Sequence, residues 1–255
     1  MMFDCHLHTT FSTDSKMKIE EVIERCNSLN IGAIITEHMD LNFPRPNEFI
    51  FDAEKYLEEY EKYRSDKLLL GFEMGMRLDC IKENKALTEK HNFDYVIGSI
   101  HLVNNIDIYG AELYRNRSKT EAYEEYLDYV YDCVKQYDFF DCLGHIDYIS
   151  RYSAYEDKEI YYNEFSERID RILKVLVEKE KAIEINTRRL GDKKAVANLI
   201  DIYKRYNDLG GKIAVFGSDS HNVNGIGSNF DTGKAIAEAA NLRLAYFKNR
   251  RVSLI

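Results

Sequence analysis

Seven short apolar runs recur along the chain, and a longer stretch with helical periodicity follows most of them. The runs cover residues 2–5, 33–36, 68–72, 95–99, 139–143, 182–185 and 213–216, each rich in Ile, Val, Leu or Phe. Runs this short, without in–out alternation, suit strands covered on both faces. Residues 18–30 place Ile19, Val22, Ile23, Cys26 and Leu29 on one helical stripe. Residues 119–137, 162–180 and 193–207 repeat that pattern, the first of them with a stripe rich in Tyr that reads as core edge. Strand–helix alternation demands parallel strands joined by right-handed crossovers. The expected fold is therefore α/β, a closed or nearly closed (β/α) barrel of seven strands. A doubly wound open sheet is the alternative, but no GxGxxG or GxxxxGK[ST] motif follows the first strand. No Gly/Ser/Pro-rich linker and no internal repeat divides the 255 residues, so one domain over residues 1–255 is expected.

Several classes of function are disfavoured. No apolar run approaches the roughly 20 residues of a membrane span, so no membrane partner is expected. The opening MMFDCHLHTT has neither a basic region nor a long apolar one and does not read as a secretory leader. Cys5, Cys26, Cys80, Cys133 and Cys142 are odd in number and form no CxxC pair, which points to a reducing cytoplasm. The net charge of −9 disfavours a long nucleic acid but not a small anion drawn to a metal. The oligomeric state stays open.

Six of the seven histidines fall at or just after a strand run. His6 and His8 follow the first, His38 the second, His101 the fourth, His145 the fifth and His221 the seventh; the third ends in Glu73. In a β/α barrel all strand ends of one polarity share a face, so these residues converge there. Residues i and i+2 of an extended segment point to the same side, so His6-x-His8 and Asp219-x-His221 are each suited to chelation. Imidazole and carboxylate are donors for Zn, Mn or Fe(II). One histidine near a strand end is ordinary; six, with two carboxylates, crowd too many polar groups together to pack without metal. His91 lies in a polar helical stretch and is assigned no role.

In order along the chain, His6-x-His8, Thr36-Glu37-His38, Glu73, Gly98-Ser99-Ile100-His101, Gly144-His145 and Ser218-Asp219-Ser220-His221 resemble the motifs of the PHP (polymerase and histidinol phosphatase) family. The resemblance spans His6 to His221 and implies a distorted seven-stranded barrel with two or three divalent metals (Zn, Mn or Fe) at the C-terminal ends of the strands. It implies that His6, His8, Glu73 and Asp219 hold one metal. Glu73 then bridges to a second, held also by His101 and His145, and Asp14, His38 and His221 hold a third. Asp14 has a second reading, as the N-cap of a helix starting near Lys16. Asp219, Glu73 and His101 are the catalytic candidates.

Within the family the chain is similar to the stand-alone histidinol-phosphate phosphatases, in His145-Ile146-Asp147-Tyr148-Ile149 with Arg151, and in Glu184-Ile185-Asn186-Thr187. The implied reaction is hydrolysis of a small phosphate ester, L-histidinol phosphate, by a hydroxide bridging two metals. Arg151 and Arg188 are the candidates for binding the phosphate, and Arg117 and Lys119 could reach the site from the long loop 102–120, which suits a lid. The proton for the leaving alkoxide could come from Asp219, Asp14 or a water. Two other functions stay open: a phosphoesterase or exonuclease acting on nucleotides or short oligonucleotides, and a non-catalytic metal-binding regulatory barrel. A metal-dependent amidohydrolase fits less well, since no lysine sits at the strand end where that chemistry often needs one.

Overall fold

In the computed structural model, which describes residues 1–255, each expected run forms a strand of one large sheet. These are β1 (Phe3–Leu7), β2 (Gly32–Met39), β3 (Leu68–Gly75), β4 (Tyr95–Ser99), β7 (Cys142–Leu143), β8 (Ala182–Asn186) and β9 (Ile213–Gly217). Two further short strands, β5 (Leu102–Val103) and β6 (Ile106–Asp107), make a hairpin inside the long loop after β4. The chain ends in β10 (Arg243–Lys248) and β11 (Arg251–Leu254), which extend the large sheet to nine strands, two more than expected. Its order is β1-β2-β3-β4-β7-β8-β9-β10-β11, and every neighbouring pair is parallel except β10–β11.

β2 and β3 run three residues past their expected ends, so Glu37, His38 and Glu73 lie within strands rather than after them. β7 is shorter than expected and starts only at Cys142. Beyond β9 the chain returns to β1: the amide of Asp219 donates to the carbonyl of His6 at 2.8 Å, and that of His8 to Ser220 at 3.0 Å. Leu7 and Ser220 form an isolated parallel bridge there.

Helices α1 (Ile19–Leu29), α2 (Ala53–Tyr60), α3 (Ile81–Lys90), α4 (Lys119–Gln136), α5 (Ile149–Tyr152), α6 (Tyr162–Glu178), α7 (Lys193–Asp208) and α8 (Phe230–Ala239) fill the connections. Helix α1 buries Ile19, Val22 and Cys26 as its stripe predicts, although Leu29 at its end is exposed. Ser118 caps α4, accepting from the amide of Glu121 while the Glu121 carboxylate accepts from the amide of Ser118. Tyr123 and Tyr126 of this helix are buried core, and the Tyr126 hydroxyl donates to the carbonyl of Ile146 at 3.1 Å, anchoring the segment after β7. No helix is long and apolar enough to cross a membrane. All five cysteines are buried and free.

The period of two along each strand sorts its apolar residues into two clusters. The larger, of 59 residues, includes Ala33, Ile35, Leu68, Leu70, Val96, Ile183 and Phe216 together with the buried helix stripes. The smaller takes the alternate positions Phe3, Cys5, Ile34, Leu69, Tyr95, Ile97, Cys142, Ala182 and Val215, and adds Phe247 from β10. Phe247 stacks on Tyr95 with ring centroids 5.2 Å apart, and Tyr246 stacks on Phe3 at 4.0 Å. The C-terminal strand thus caps this second core at the end away from the histidines. Phe247→Ala should cost about 3–5 kcal/mol, the usual range for emptying a buried aromatic site. Urea unfolding of the metal-free protein measures this; a loss under about 1 kcal/mol would mean that β10 is dispensable for the core.

Candidate metal centre

Period-two geometry and strand polarity together bring nine of the sequence candidates to one end of the sheet. Glu73, fully buried near the end of β3, stands at their centre. Its Oε1 faces His101 Nε2 at 3.1 Å and His145 Nε2 at 2.9 Å. Its Oε2 faces His6 Nε2 at 3.3 Å, His8 Nε2 at 3.6 Å and His38 Nδ1 at 2.8 Å. Asp219 Oδ1 lies 3.5 Å from His8 Nε2 and 3.8 Å from His6 Nε2. Asp14 Oδ2 stands 3.5 Å from His38 Nε2 and 3.0 Å from His221 Nε2. Asp14 is not an N-cap: α1 starts at Ile19, and the residue before it is Lys18.

These contacts are unlike packing. His6 Nε2, His8 Nε2, His38 Nδ1 and Glu73 Oε2 are buried without a hydrogen-bond partner, in a region where nearly all buried polar atoms are normally paired. His8 stacks on His38 and on His221 at ring-centroid distances of 4.0 and 4.2 Å, a poor arrangement for several imidazolium ions. Donor atoms of His6, His8 and Glu73, of His38, Glu73 and His101, and of His8, His38 and His221 each converge closely enough to share one ion. Lone pairs turned toward common points in this way fit divalent metals.

The electrostatics follow from the crowding. Burial disfavours the charged form of His6, but Glu73, Glu184 and Asp219 outweigh it and hold the imidazole well above its ordinary range. His101 is raised in the same way by Asp40 and Glu73 against its burial, and His38 is pushed up to about 10 by Glu73 and Asp14. His8 goes the other way, lowered by burial and by His38 and His221. Burial also opposes ionisation of Glu73 and Asp219, yet the surrounding histidines, and for Asp219 first of all Arg151, keep both carboxyls well below the usual carboxylate range. Asp219 adopts a left-handed backbone, φ 52°, a strained conformation of a kind that clusters at functional sites.

The outer ring nitrogens are held from behind by Ser12 and Asp40, which the sequence reading passed over, and by Glu37 and Glu184, which it quoted within motifs without a role. His101 Nδ1 meets Asp40 at 2.9 Å. His8 Nδ1 lies 3.1 Å from Ser12 Oγ, which donates to Glu37 at 2.5 Å. His6 Nδ1 lies 2.6 Å from Glu184 Oε1. Asp40 was within reach, since His38-x-Asp40 has the same i, i+2 spacing that singled out His6 and His8.

A cavity of about 340 Å³ opens over the cluster, lined by Asp14, His38, Glu73, His101, His145, Asp219 and His221 at its floor. Phe43, Arg45, Phe49, Asp107, Tyr109, Tyr148 and Tyr152 form the rest of its wall with Arg151 and Arg188. The loop after β4 thus contributes to the wall through Asp107 and Tyr109, and Arg45 pairs with Asp107 at 3.1 Å across the mouth. Arg117 and Lys119 do not reach the cavity: Arg117 pairs with Glu125, and Lys119 with Asp157 at 3.1 Å. Two arginines are adjacent just after β8. Arg189 is tied to Asp147 and Glu159, whereas Arg188 lines the cavity.

The PHP domain family model matches residues 4–188. A probable histidinol-phosphatase of Clostridium acetobutylicum is 52% identical over 250 residues, 98% of either chain. The histidinol-phosphatase of Lactococcus lactis is 35% identical over 225 residues, covering 86% of this chain and 83% of that one. A crystal structure of the Lactococcus lactis histidinol phosphate phosphatase, complexed with zinc, L-histidinol and phosphate, superposes with a TM-score of 0.92 at 31% identity, covering 99% of this chain and 98% of that one. A family model that matches most of the chain and relatives that align over nearly its whole length agree with the motif order at the strand ends: this chain belongs to the PHP domain family.

Proposed function

We propose that the protein is a metal-dependent phosphomonoesterase that hydrolyses L-histidinol phosphate to L-histidinol and phosphate. The observation that carries this reading is Arg151. Its side chain is 6% exposed and spends only Nη1, on Asp219; Nε and Nη2 are buried with no partner, beside the histidine cluster. A buried guanidinium with two free donors needs an anion, and a phosphoryl group matches its fork. The relatives above are named histidinol-phosphatase and probable histidinol-phosphatase, and the Lactococcus structure holds zinc, L-histidinol and phosphate, which supports the same substrate here.

In this reading His6, His8, Glu73 and Asp219 hold one ion, Glu73, His101 and His145 a second, and Asp14, His38 and His221 a third. The division of Glu73 between His101 and His145 on one oxygen and His6 and His8 on the other supports its bridging role. Zinc, manganese and iron(II) all suit these donors. When bound, such ions supply a strong nucleophile from water at neutral pH and neutralise phosphoryl charge. Arg151 and the half-exposed Arg188 orient the phosphoryl oxygens, and Tyr148 packs under Arg151 with its ring centroid 5.2 Å from the guanidinium carbon. Phe43, Phe49, Tyr109 and Tyr152 line the cavity with aromatic rings suited to face the imidazole end of such a substrate. A cavity of 340 Å³ lies at the small end of the roughly 300–1,000 Å³ of ligand sites, which favours a small monoester over an oligonucleotide.

The finer architecture in this reading is a distorted barrel forming one domain, supported by the backbone links between His6, His8 and the segment after β9. The five free thiols support a reducing cytoplasm. The test is phosphate release from L-histidinol phosphate, beside a panel of mononucleotides, by protein loaded with zinc or manganese and by chelator-stripped protein. Metal-dependent turnover with a large kcat/KM preference for histidinol phosphate is expected. Preference for a nucleotide would replace the substrate, and a fully loaded yet inert protein would favour a regulatory role.

A further inference from the structure

We propose that Glu184, in the middle of β8, is the positioning residue that links the two halves of the metal centre, fixing His6, His145 and Asp219 relative to one another. The proposal rests on the metal-centre reading above. Glu184 is 1% exposed, and no lysine or arginine pairs with it. Its carboxylate is instead divided among groups that belong to different ions. Oε1 lies 2.6 Å from His6 Nδ1. Oε2 accepts from the backbone amide of His145 at 2.6 Å and from the side-chain amide of Asn186 at 3.1 Å. Asn186 in turn reaches Asp219 Oδ2 at 3.4 Å.

The chemistry follows from which nitrogen carries the proton. An imidazole that donates from Nδ1 to a carboxylate leaves its Nε2 lone pair free, and His6 Nε2 is the atom turned, unpartnered, toward Glu73 and Asp219. The same carboxylate sets the strand-end height of His145, whose Nε2 faces the other oxygen of Glu73. Moving Glu184 therefore disturbs both sides of the bridge at once. Gly217 makes room for it: a Cβ there would stand 2.1 Å from Glu184 Oε1 and 2.5 Å from His6 Cβ. Any side chain at position 217 would part the pair.

The test compares wild-type protein with Glu184→Gln, an isosteric change, by competition for Zn2+ with a chromophoric chelator, by melting of the metal-free and metal-loaded forms, and by the visible spectrum of the Co2+ form. Glutamine cannot accept from the imidazole, the His145 amide and Asn186 together. The expected result is a roughly 10–100-fold loss of metal affinity, as for other partners of metal-bound histidines. The Co2+ spectrum should change, the metal-free melting temperature should stay close to wild type, and the gain in melting temperature on loading should shrink. Unchanged affinity and spectrum in Glu184→Gln would overturn the proposal, as would a fall in metal-free stability that accounts for the whole effect. If Glu184→Gln does not fold, Asn186→Ala keeps both carboxylates and removes the amide between them, along with the acceptor of the Arg188 amide. A severalfold affinity loss there supports the linkage, and none refutes it. Wild-type protein that itself takes up no Zn2+ would instead sink the metal-centre reading.

Discussion

Glu73→Gln should lose phosphate release by at least about 10³-fold, roughly 4 kcal/mol of barrier, while the metal-free protein keeps its circular dichroism spectrum. The reason lies in the division of its two oxygens. Oε1 serves His101 and His145, Oε2 serves His6, His8 and His38, and none of these nitrogens has another carboxylate equally near both sets. Glutamine keeps one oxygen and turns the other into an amide that carries hydrogens toward an ion. One half of the centre then has no bridging donor, whichever way the amide lies. Metal analysis of the purified variant should show fewer ions per chain than wild type. Activity within tenfold of wild type would refute the bridging role, and loss of folding in the metal-free form would show a structural one instead.

Arg151→Met should lower kcat/KM by about 10²–10³, the range for removing one preorganised donor to developing charge, with metal content unchanged. The argument is one of desolvation. Arg151 and Asp219 are both nearly buried, so the two donors left over on Arg151 face an anion without competition from water. Arg188 approaches the same Asp219 at 3.4 Å but is 44% exposed, so solvent screens it and Arg188→Met should cost far less. The inhibition constant of inorganic phosphate should rise in both variants, and more in Arg151→Met. An equal or larger effect at Arg188, or wild-type phosphate inhibition in Arg151→Met, would remove Arg151 from the phosphate subsite.

The strand ends were legible because two physical signals coincide there: an apolar run stops, and a metal-type donor begins. That coincidence placed His6, His8, His38, Glu73, His101, His145, Asp219 and His221 at one end of the sheet without knowledge of contacts. It failed where only one signal was present. β10 has an apolar run, Leu244–Phe247, but it lies between Arg243 and Lys248, only Ala245 and Phe247 of it are buried, and no metal-type donor follows it. Glu184 was noted only within the Glu184-Ile185-Asn186-Thr187 motif, and its contacts with His6 and His145, both far away in sequence, are not legible there. The cavity wall of Phe43, Arg45, Phe49, Asp107 and Tyr109 comes from segments without periodicity, whose path the sequence pattern does not specify. Asp14 was ambiguous between a cap and a ligand because helix starts are uncertain by a few residues; the start of α1 at Ile19 removes the cap reading.

The C-terminal strand carries a consequence for how the chain is made. Phe3 and Tyr246 stack on each other, yet Phe3 leaves the ribosome far ahead of Tyr246. The smaller core therefore stays open at one end, with Phe3 of β1 uncovered, until β10 emerges. Contacts so distant in sequence also make folding slow, because a long loop must close before they form. A nascent chain stalled before residue 243 has almost every metal donor in place and no floor beneath them. It is a species for chaperones to hold, and one that a premature stop would leave prone to aggregation.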